Sequence, residues 1–413
     1  MWRNTILVLL FVCSPALAQS HQHGASAPAV DGQYNPFIVS DNQGGFYLAY
    51  VERTNNVSNV MLRHSVDGKE FSKPVRVNDR EGDATVRNEN PPKIAVGKNG
   101  EIYVCWANER GRWKGNIRFA RSTNGGKTFF PALSLNSDAA GEPMGHAFQS
   151  IAVDAKGKIF VAWIDERNKK QGDRGGEIWL SASEDGGKTF ARDRRILTDV
   201  CECCRTTLQI DSAGRLFLSY RTVPPIGPMN RDIIVARSED GGKTFTPSVV
   251  SQDGWELNGC PVVGPTLTID AAGVLAVVWF VGDGKQPGLY FAASSDHGKT
   301  FSARQLLDGN QRLGKHAHAV RLGNGKTLVA WDASAQKSFS VWGVLDARKG
   351  TLQKGSEREG ILYPVAAVNN QVVVIAGMRA ATREVAIFTE QLNGVSGTSS
   401  VQRSPIVDGV SRF

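Results

Sequence analysis

The chain has 413 residues, 41% of them hydrophobic and 21% charged, with 44 Gly and 17 Pro. That composition is globular and excludes wholesale disorder and a collagen-like fibre. The formal charge of +8 comes from basic residues scattered along the sequence, which favours solubility and leaves no footprint for nucleic-acid binding.

Residues 1–18 read as a secretory signal peptide. Met1-Trp2-Arg3 is a basic start, Ile6 to Val12 an apolar run, and Ala16-Leu17-Ala18 a small-x-small cleavage signal. The expectation is an exported protein, periplasmic or extracellular, beginning at Gln19, with no membrane span because no later segment approaches ~18 uninterrupted apolar residues. Residues 19–33 are expected to be a flexible tail. Its Gln19-Ser20-His21 start could chelate Cu²⁺ or Ni²⁺ through the free amine and backbone nitrogens, the alternative being a plain polar tail.

From residue 34 onward the sequence repeats itself. Ser122 to Phe129, Ser183 to Phe190, Ser238 to Phe245 and Ser294 to Phe301 share Ser-x-(Asp/Asn)-x-Gly-Lys-Thr-Phe, and Ser65 to Phe71 is a version one residue shorter. Their serines lie 57, 61, 55 and 56 residues apart. Such an octad is a tight turn between two strands: Asp or Asn accepts backbone N–H groups, Gly supplies the positive φ, and Phe tucks beneath. Ahead of each octad come two apolar runs split by a turn, as in Ser150 to Asp154 and Lys158 to Trp163, followed by a third such as Glu177 to Ser181. The same pattern opens at Asn35, Asn90, Thr206, Pro265, Ala317 and Tyr363, which makes seven modules. Repeated four-stranded units of about 40–60 residues imply an all-β fold, a β-propeller of seven blades spanning residues 34–413 as one domain. The last two modules lack the octad, and six blades is the alternative.

A propeller brings the loops that enter each module's first strand to one face, opposite the octads. Those loops carry Met144 and His146, then Cys201, Cys203, Cys204 and Arg205, then Trp255 and Cys260, then His316 and His318, and finally Tyr363. Sulfur and imidazole from neighbouring blades suit a soft metal, copper or zinc, with Met144, His146, Cys201, Cys203, Cys204, Cys260, His316 and His318 as candidate ligands. In an oxidising compartment Cys260 could instead bridge to Cys203 or Cys204, closing a loop of about 56 residues. One bridge would still leave two thiols. Cys105, inside the apolar run Ile102 to Trp106, reads as a core thiol. No His follows the Cys-x-Cys-Cys run, so covalent haem attachment is not indicated. Loops leaving the second strands carry Glu52-Arg53, Glu109-Arg110, Asp165-Glu166-Arg167, Arg221, Asp332 and Arg379, either as blade-to-blade ion pairs or as a rim that binds carboxylates.

The octads resemble the Asp boxes, or BNR repeats, of the sialidase-like propellers, and the resemblance covers essentially the whole chain after the tail. Enzymes of that family grip a substrate carboxylate with three Arg, attack with a Tyr activated by a Glu, and use an Asp as acid/base. The resemblance would place Tyr363 as nucleophile beside Glu357 or Glu359, Arg53, Arg221 and Arg379 as the triad, and Asp165 as the acid. The Phe-Arg-Ile-Pro motif of those enzymes is absent, and the first module opens with Tyr34-Asn35-Pro36-Phe37-Ile38. Three functions follow as expectations: a soft-metal site, best copper, for storage, delivery or redox chemistry; a sialidase-type hydrolase acting on acidic sugars; and a disulfide-stapled interaction platform.

Overall fold

The computed structural model describes residues 30–41, 43–87, 89–108, 114–141, 144–282, 286–309, 313–322, 326–334 and 337–392, with the backbone of 398–400 and 402–403. The expected signal peptide, the Gln19-Ser20-His21 start of the tail and the Glu109-Arg110 pair lie outside the described residues.

Seven antiparallel sheets follow one another along the chain. The first holds β1 (Gly32–Ser40), β2 (Phe46–Thr54), β3 (Val57–Ser65) and β4 (Val75–Arg76); the second β5 (Lys93–Val96), β6 (Ile102–Ala107), β7 (Ile117–Ser122) and β8 (Leu133–Ser134). The third holds β9 (His146–Val153), β10 (Ile159–Asp165), β11 (Gly176–Ser183) and β12 (Arg194–Val200); the fourth β13 (Thr207–Ile210), β14 (Leu216–Arg221), β15 (Ile233–Ser238) and β16 (Thr246–Ser251). The fifth holds β17 (Thr266–Ile269), β18 (Leu275–Val281), β19 (Gly288–Ser294) and β20 (Gln305–Asp308); the sixth β21 (Leu313–Arg321), β22 (Thr327–Ser334), β23 (Ser338–Asp346) and β24 (Thr351–Glu359). The seventh holds β25 (Ile361–Asn369), β26 (Val372–Arg379) and β27 (Val385–Gln391), while β28 (Thr398–Ser400) and β29 (Gln402–Arg403) add to the outer edges of the sixth and fifth sheets. The chain is thus a seven-bladed β-propeller, and the six-blade alternative falls because β21–β24 and β25–β27 are separate sheets. The seventh blade shows three strands among the described residues where the module pattern predicts four. The propeller also starts slightly earlier than expected, since Gly32 and Gln33 already pair with Arg53 and Glu52.

The first strand of each module lines the axis, and each first strand packs beside the next, with β25 returning to β1. Second strands are sandwiched between neighbouring blades. For that reason β6, β10, β14 and β18 are buried at every position and read as continuous apolar runs rather than as alternations. At one equivalent point they carry Tyr50, Trp106, Trp163, Tyr220, Trp279 and Trp331, all buried.

The octads staple blade to blade. In Ser183 to Phe190, Ser183 Oγ accepts the Gly187 N–H at 2.9 Å and donates to Asp185 at 2.8 Å, while Asp185 takes the N–H groups of Lys188 and Thr189. Gly187, at φ 77°, lies where a Cβ would come within 2.7 Å of the Phe119 ring of the preceding blade. Phe190 packs edge-on against the same ring, 4.8 Å between centroids. The Ser-to-Gly bond recurs in the other four octads at 2.8–3.0 Å. The Tyr47 hydroxyl, at the start of β2, donates to Gly125 of the next octad, so these turns occupy the end of the barrel opposite the entry loops. Among the described residues no helix is long and apolar enough to cross a membrane.

Candidate functional site at the channel mouth

At the entry end the first strands share a backbone device. Asn35, Glu89, Phe148, Val262, His316 and Tyr363 have φ between 49° and 61°, the left-handed region that side-chain-bearing residues rarely adopt. Each stands in or just ahead of the strand that lines the axis, and the ladders slip there, between Tyr34 and Phe37, Lys315 and His318, and Leu362 and Val365. Such residues cost about 1–3 kcal/mol each and persist where the surroundings over-determine them. Here that surrounding is a polar cluster.

The His316 and Tyr363 rings lie 4.4 Å apart. Asp332, near the end of β22, holds both: its carboxylate is 2.8 Å from His316 Nδ1 and accepts the Tyr363 N–H at 3.0 Å. Burial pushes the Tyr363 phenol up, and Glu89 and Asp332 push it further. Burial works against the His316 cation, but Asp332 and Glu89 outweigh it and raise its pKa. Arg205 reaches across the mouth, donating to Glu89 at 3.2 Å and to the Ala317 carbonyl. Glu89 also accepts the Gly264 N–H at 3.4 Å. Deeper in, His318 accepts the Ala366 N–H at 3.2 Å, and burial together with Lys93 and Arg205 keeps it neutral.

The thiols form a second cluster directly beside the first, because Cys204 precedes Arg205. The loop between β12 and β13 buries Cys201, Cys203 and Cys204 with Val223, and Met229 and Cys260 pack against them. Cys203 is bridged to Cys260, with 6.1 Å between Cα atoms, tying the loop before the fourth blade to the loop before the fifth. Cys201 and Cys204 are free, their sulfurs 3.1 Å apart, and Cys201 lies 3.6 Å from Cys203 Sγ. Burial and the neighbouring Cys204 push the Cys201 thiol well up, whereas the Cys204 thiol, against its own burial, is lowered by the hydrogen bond it accepts from Cys201 and by Arg221 and Arg231. Arg231 Nη1 stands 3.6 Å from Cys201 Sγ. Cys105 is sealed in the second blade's core, and burial raises its pKa strongly, as befits an inert thiol.

The other predicted ligands do not join the thiols. His146 has both ring nitrogens engaged: Nδ1 with the Gly115 and Met144 carbonyls at 2.7 and 3.0 Å, Nε2 with Asp165 and Asp138 at 3.1 and 3.2 Å. Met144 therefore lies with His146 in the third blade's entry loop. His316 and His318 are engaged by Asp332 and Ala366 as above. Among the described residues, the sulfurs of Cys201, Cys203 and Cys204 lie within 4.8 Å of one another, and with Cys203 in the bridge the thiols open to a metal there are Cys201 and Cys204.

The residues assigned by analogy to a glycosidase are dispersed. Arg221 is fully buried and donates to the carbonyls of Val263, Arg231 and Phe280. Arg53 is held within its own hairpin by Asn56 and Ser58, and Arg379 is exposed on the seventh blade. Asp165 is sealed among Trp163, Arg167 and His146. Glu357 and Glu359 lie on β24, the outer part of the sixth blade, where Glu359 pairs with Lys337. The acids that act on Tyr363 are Glu89 and Asp332. Sequence reasoning missed Glu89 and Lys93, although a signal existed: Lys93 stands in register with Phe37, Ser150, Thr207, Thr266 and His318 in the other modules, as the one lysine of that set.

No protein-family model matches the chain, and no curated protein does. Solved structures with the same fold include an ulvan lyase, a polysaccharide lyase bound to a -[GlcA(1-4)Rha3S]- saccharide, at 12% identity and TM-score 0.57 over 90% of this chain and 97% of that one. A Dyadobacter fermentans protein of unknown function aligns at 17% identity and TM-score 0.51 over 74% and 91%. A leech intramolecular trans-sialidase aligns at 10% identity and TM-score 0.50 over 89% and 93%. At these identities the likeness is one of fold, a sialidase-like propeller.

Proposed function

We propose that this propeller is an exported protein that binds a soft metal ion, copper in its +1 state, through Cys201 and Cys204, for storage or delivery. One observation carries the reading: the three buried sulfurs of Cys201, Cys203 and Cys204 lie within 4.8 Å of one another, and two of them are unbridged thiols. Soft thiolate and thioether ligands suit Cu(I), zinc and iron–sulfur clusters, and Met229 packs against the cluster as a further soft donor, a thioether that favours Cu(I). Zinc is the poorer fit, because a closed zinc site takes four ligands and the nearby histidines are engaged elsewhere. Arg231 offsets the negative charge of a copper–dithiolate in an otherwise apolar pocket. The glycosidase alternative has less support, since Arg53 is held within its own hairpin and Arg221, with no exposed surface, is taken up by three backbone carbonyls.

The test is anaerobic titration of the oxidised protein with Cu(I) against a competing chelator, with His21 and His23 replaced so that the tail does not contribute. About one equivalent is expected, with a sulfur-to-copper absorption band that disappears in Cys201→Ser and Cys204→Ser. Retention of copper by the double serine variant, or no binding by the parent, rejects the reading.

A further inference from the structure

Behind the mouth, one residue from each of six blades lines the channel: Phe37, Lys93, Ser150, Thr207, Thr266 and His318. Four of these tie their blade to the next. Ser150 Oγ accepts the Leu208 N–H at 2.9 Å, Thr207 donates to the Pro265 carbonyl at 3.2 Å, Thr266 accepts the Ala319 N–H at 3.1 Å, and His318 accepts the Ala366 N–H.

Lys93 breaks the pattern. The residue is 8% exposed, its Nζ sits 4.2 Å from the centroid of the Phe37 ring, and it has no hydrogen-bond acceptor among the described residues. The nearest acid is Glu89, whose two oxygens are taken by Arg205 and Gly264. A buried ammonium without an anion is costly, and the fold has placed a second cation, Arg205, beside it. We infer that the channel behind the mouth is an oxyanion site, with Lys93 Nζ as its anchor and Arg205 as the neighbouring cation. The ligand is a small oxyanion or the carboxylate of an acidic sugar entering end-on from the mouth.

The surroundings support the inference in a second way. Burial lowers the Lys93 pKa to about 7, with Arg205 adding to the effect and Glu89 and the Cys105 thiol opposing it. Of the groups that face Lys93, Arg205 and Glu89 are paired with each other, and burial keeps His318 and Cys105 neutral. An arriving anion therefore draws a proton onto Lys93 at neutral pH and above.

The experiment is calorimetry on the full chain with sodium sulfate, sodium glucuronate and, as a neutral control, glucose, at pH 6 and pH 8 in buffers of different ionisation enthalpy. An anion but not glucose is expected to bind, with affinity falling by about tenfold per pH unit above neutrality and with proton uptake at pH 8. Lys93→Met, which can pack on Phe37, is expected to abolish binding, and Lys93→Arg to retain it without proton uptake. Sulfate alone would identify an inorganic oxyanion as ligand, and tighter glucuronate binding a sugar carboxylate. Failure of both anions to bind, or equal binding by Lys93→Met, overturns the proposal. Should Lys93→Met not fold, unchanged proton uptake in Lys93→Arg overturns it as well.

Discussion

His146 is where a single side chain gives the clearest solution behaviour. Burial disfavours its cation, but Asp138 and Asp165 reverse the balance and push its pKa up to about 9. Because the folded value lies above the unfolded one, its contribution is fully present below about pH 6.5 and is lost as the pH rises through about 9. The interaction is worth roughly 3 kcal/mol. Thermal melts from pH 6 to pH 10 should show stability falling across that window, and His146→Gln should flatten the slope; an unchanged slope would show that His146 is not the titrating group. Nothing in the local sequence announces this role. Asp138 and Asp165 are separated from His146 by 8 and 19 residues, and their convergence depends on how the third blade's entry loop folds back. The cysteines were more legible. For Cys260 the sequence left two readings, a metal ligand or a bridge to Cys203 or Cys204, and the structure pairs it with Cys203.

Among the elements, the octad turns follow from sequence because every bond that shapes them is internal to eight residues. Ser183→Ala should leave the buried Gly187 N–H without its acceptor and cost about 1–3 kcal/mol in urea unfolding. Gly187→Ala should cost at least as much, since it combines a positive φ with a Cβ pressed against Phe119. If both variants unfold like the parent, the octads are not staples. The left-handed residues at the mouth were illegible for the opposite reason. Tyr, Phe, Val and Glu carry no preference for that conformation, so at their positions it is imposed by ring closure and by contacts such as Asp332 to Tyr363. Val262 is the extreme case, a β-branched residue at φ 50° and only partly buried. Val262→Gly should stabilise the protein, by about 1 kcal/mol, through relief of that backbone strain. A loss of stability in chemical unfolding would mean that packing at this site outweighs the strain.

Over the whole molecule, the ring is closed by packing and by single backbone and side-chain bonds rather than by one sheet shared between both ends of the described chain. Gln33 N–H donates to the Arg383 carbonyl at 2.6 Å, Val385 N–H to the Gln33 side chain at 3.0 Å, and Thr389 to the Gly68 carbonyl at 2.6 Å. The Cys203–Cys260 bridge lies on the far side of the ring, its ends 57 positions apart in the sequence. Replacing both cysteines by alanine should lower unfolding stability by about 4 kcal/mol in the chain-entropy picture. Removal of the bridge without change would place its value in the thiol pocket rather than in the fold. The blade count was legible because the period of the octads and of the paired apolar runs is set by the module itself. Which side chains meet at the axis was not, because that depends on the kinks that steer each entry loop.

The buried aromatic belt has an optical consequence. Trp106, Trp163, Trp279 and Trp331 sit at one radius in four different blades, and each indole N–H is held by an acidic residue: the Asp83 carbonyl, Asp165, Asp253 and Asp308 respectively. Each of these blades thus carries a buried indole at an equivalent place, so variants retaining a single one of the four, with the chain's other five tryptophans replaced by phenylalanine, would report unfolding blade by blade. Coincident emission changes would mean that the ring melts as one unit, and staggered changes would reveal the order in which its sectors open.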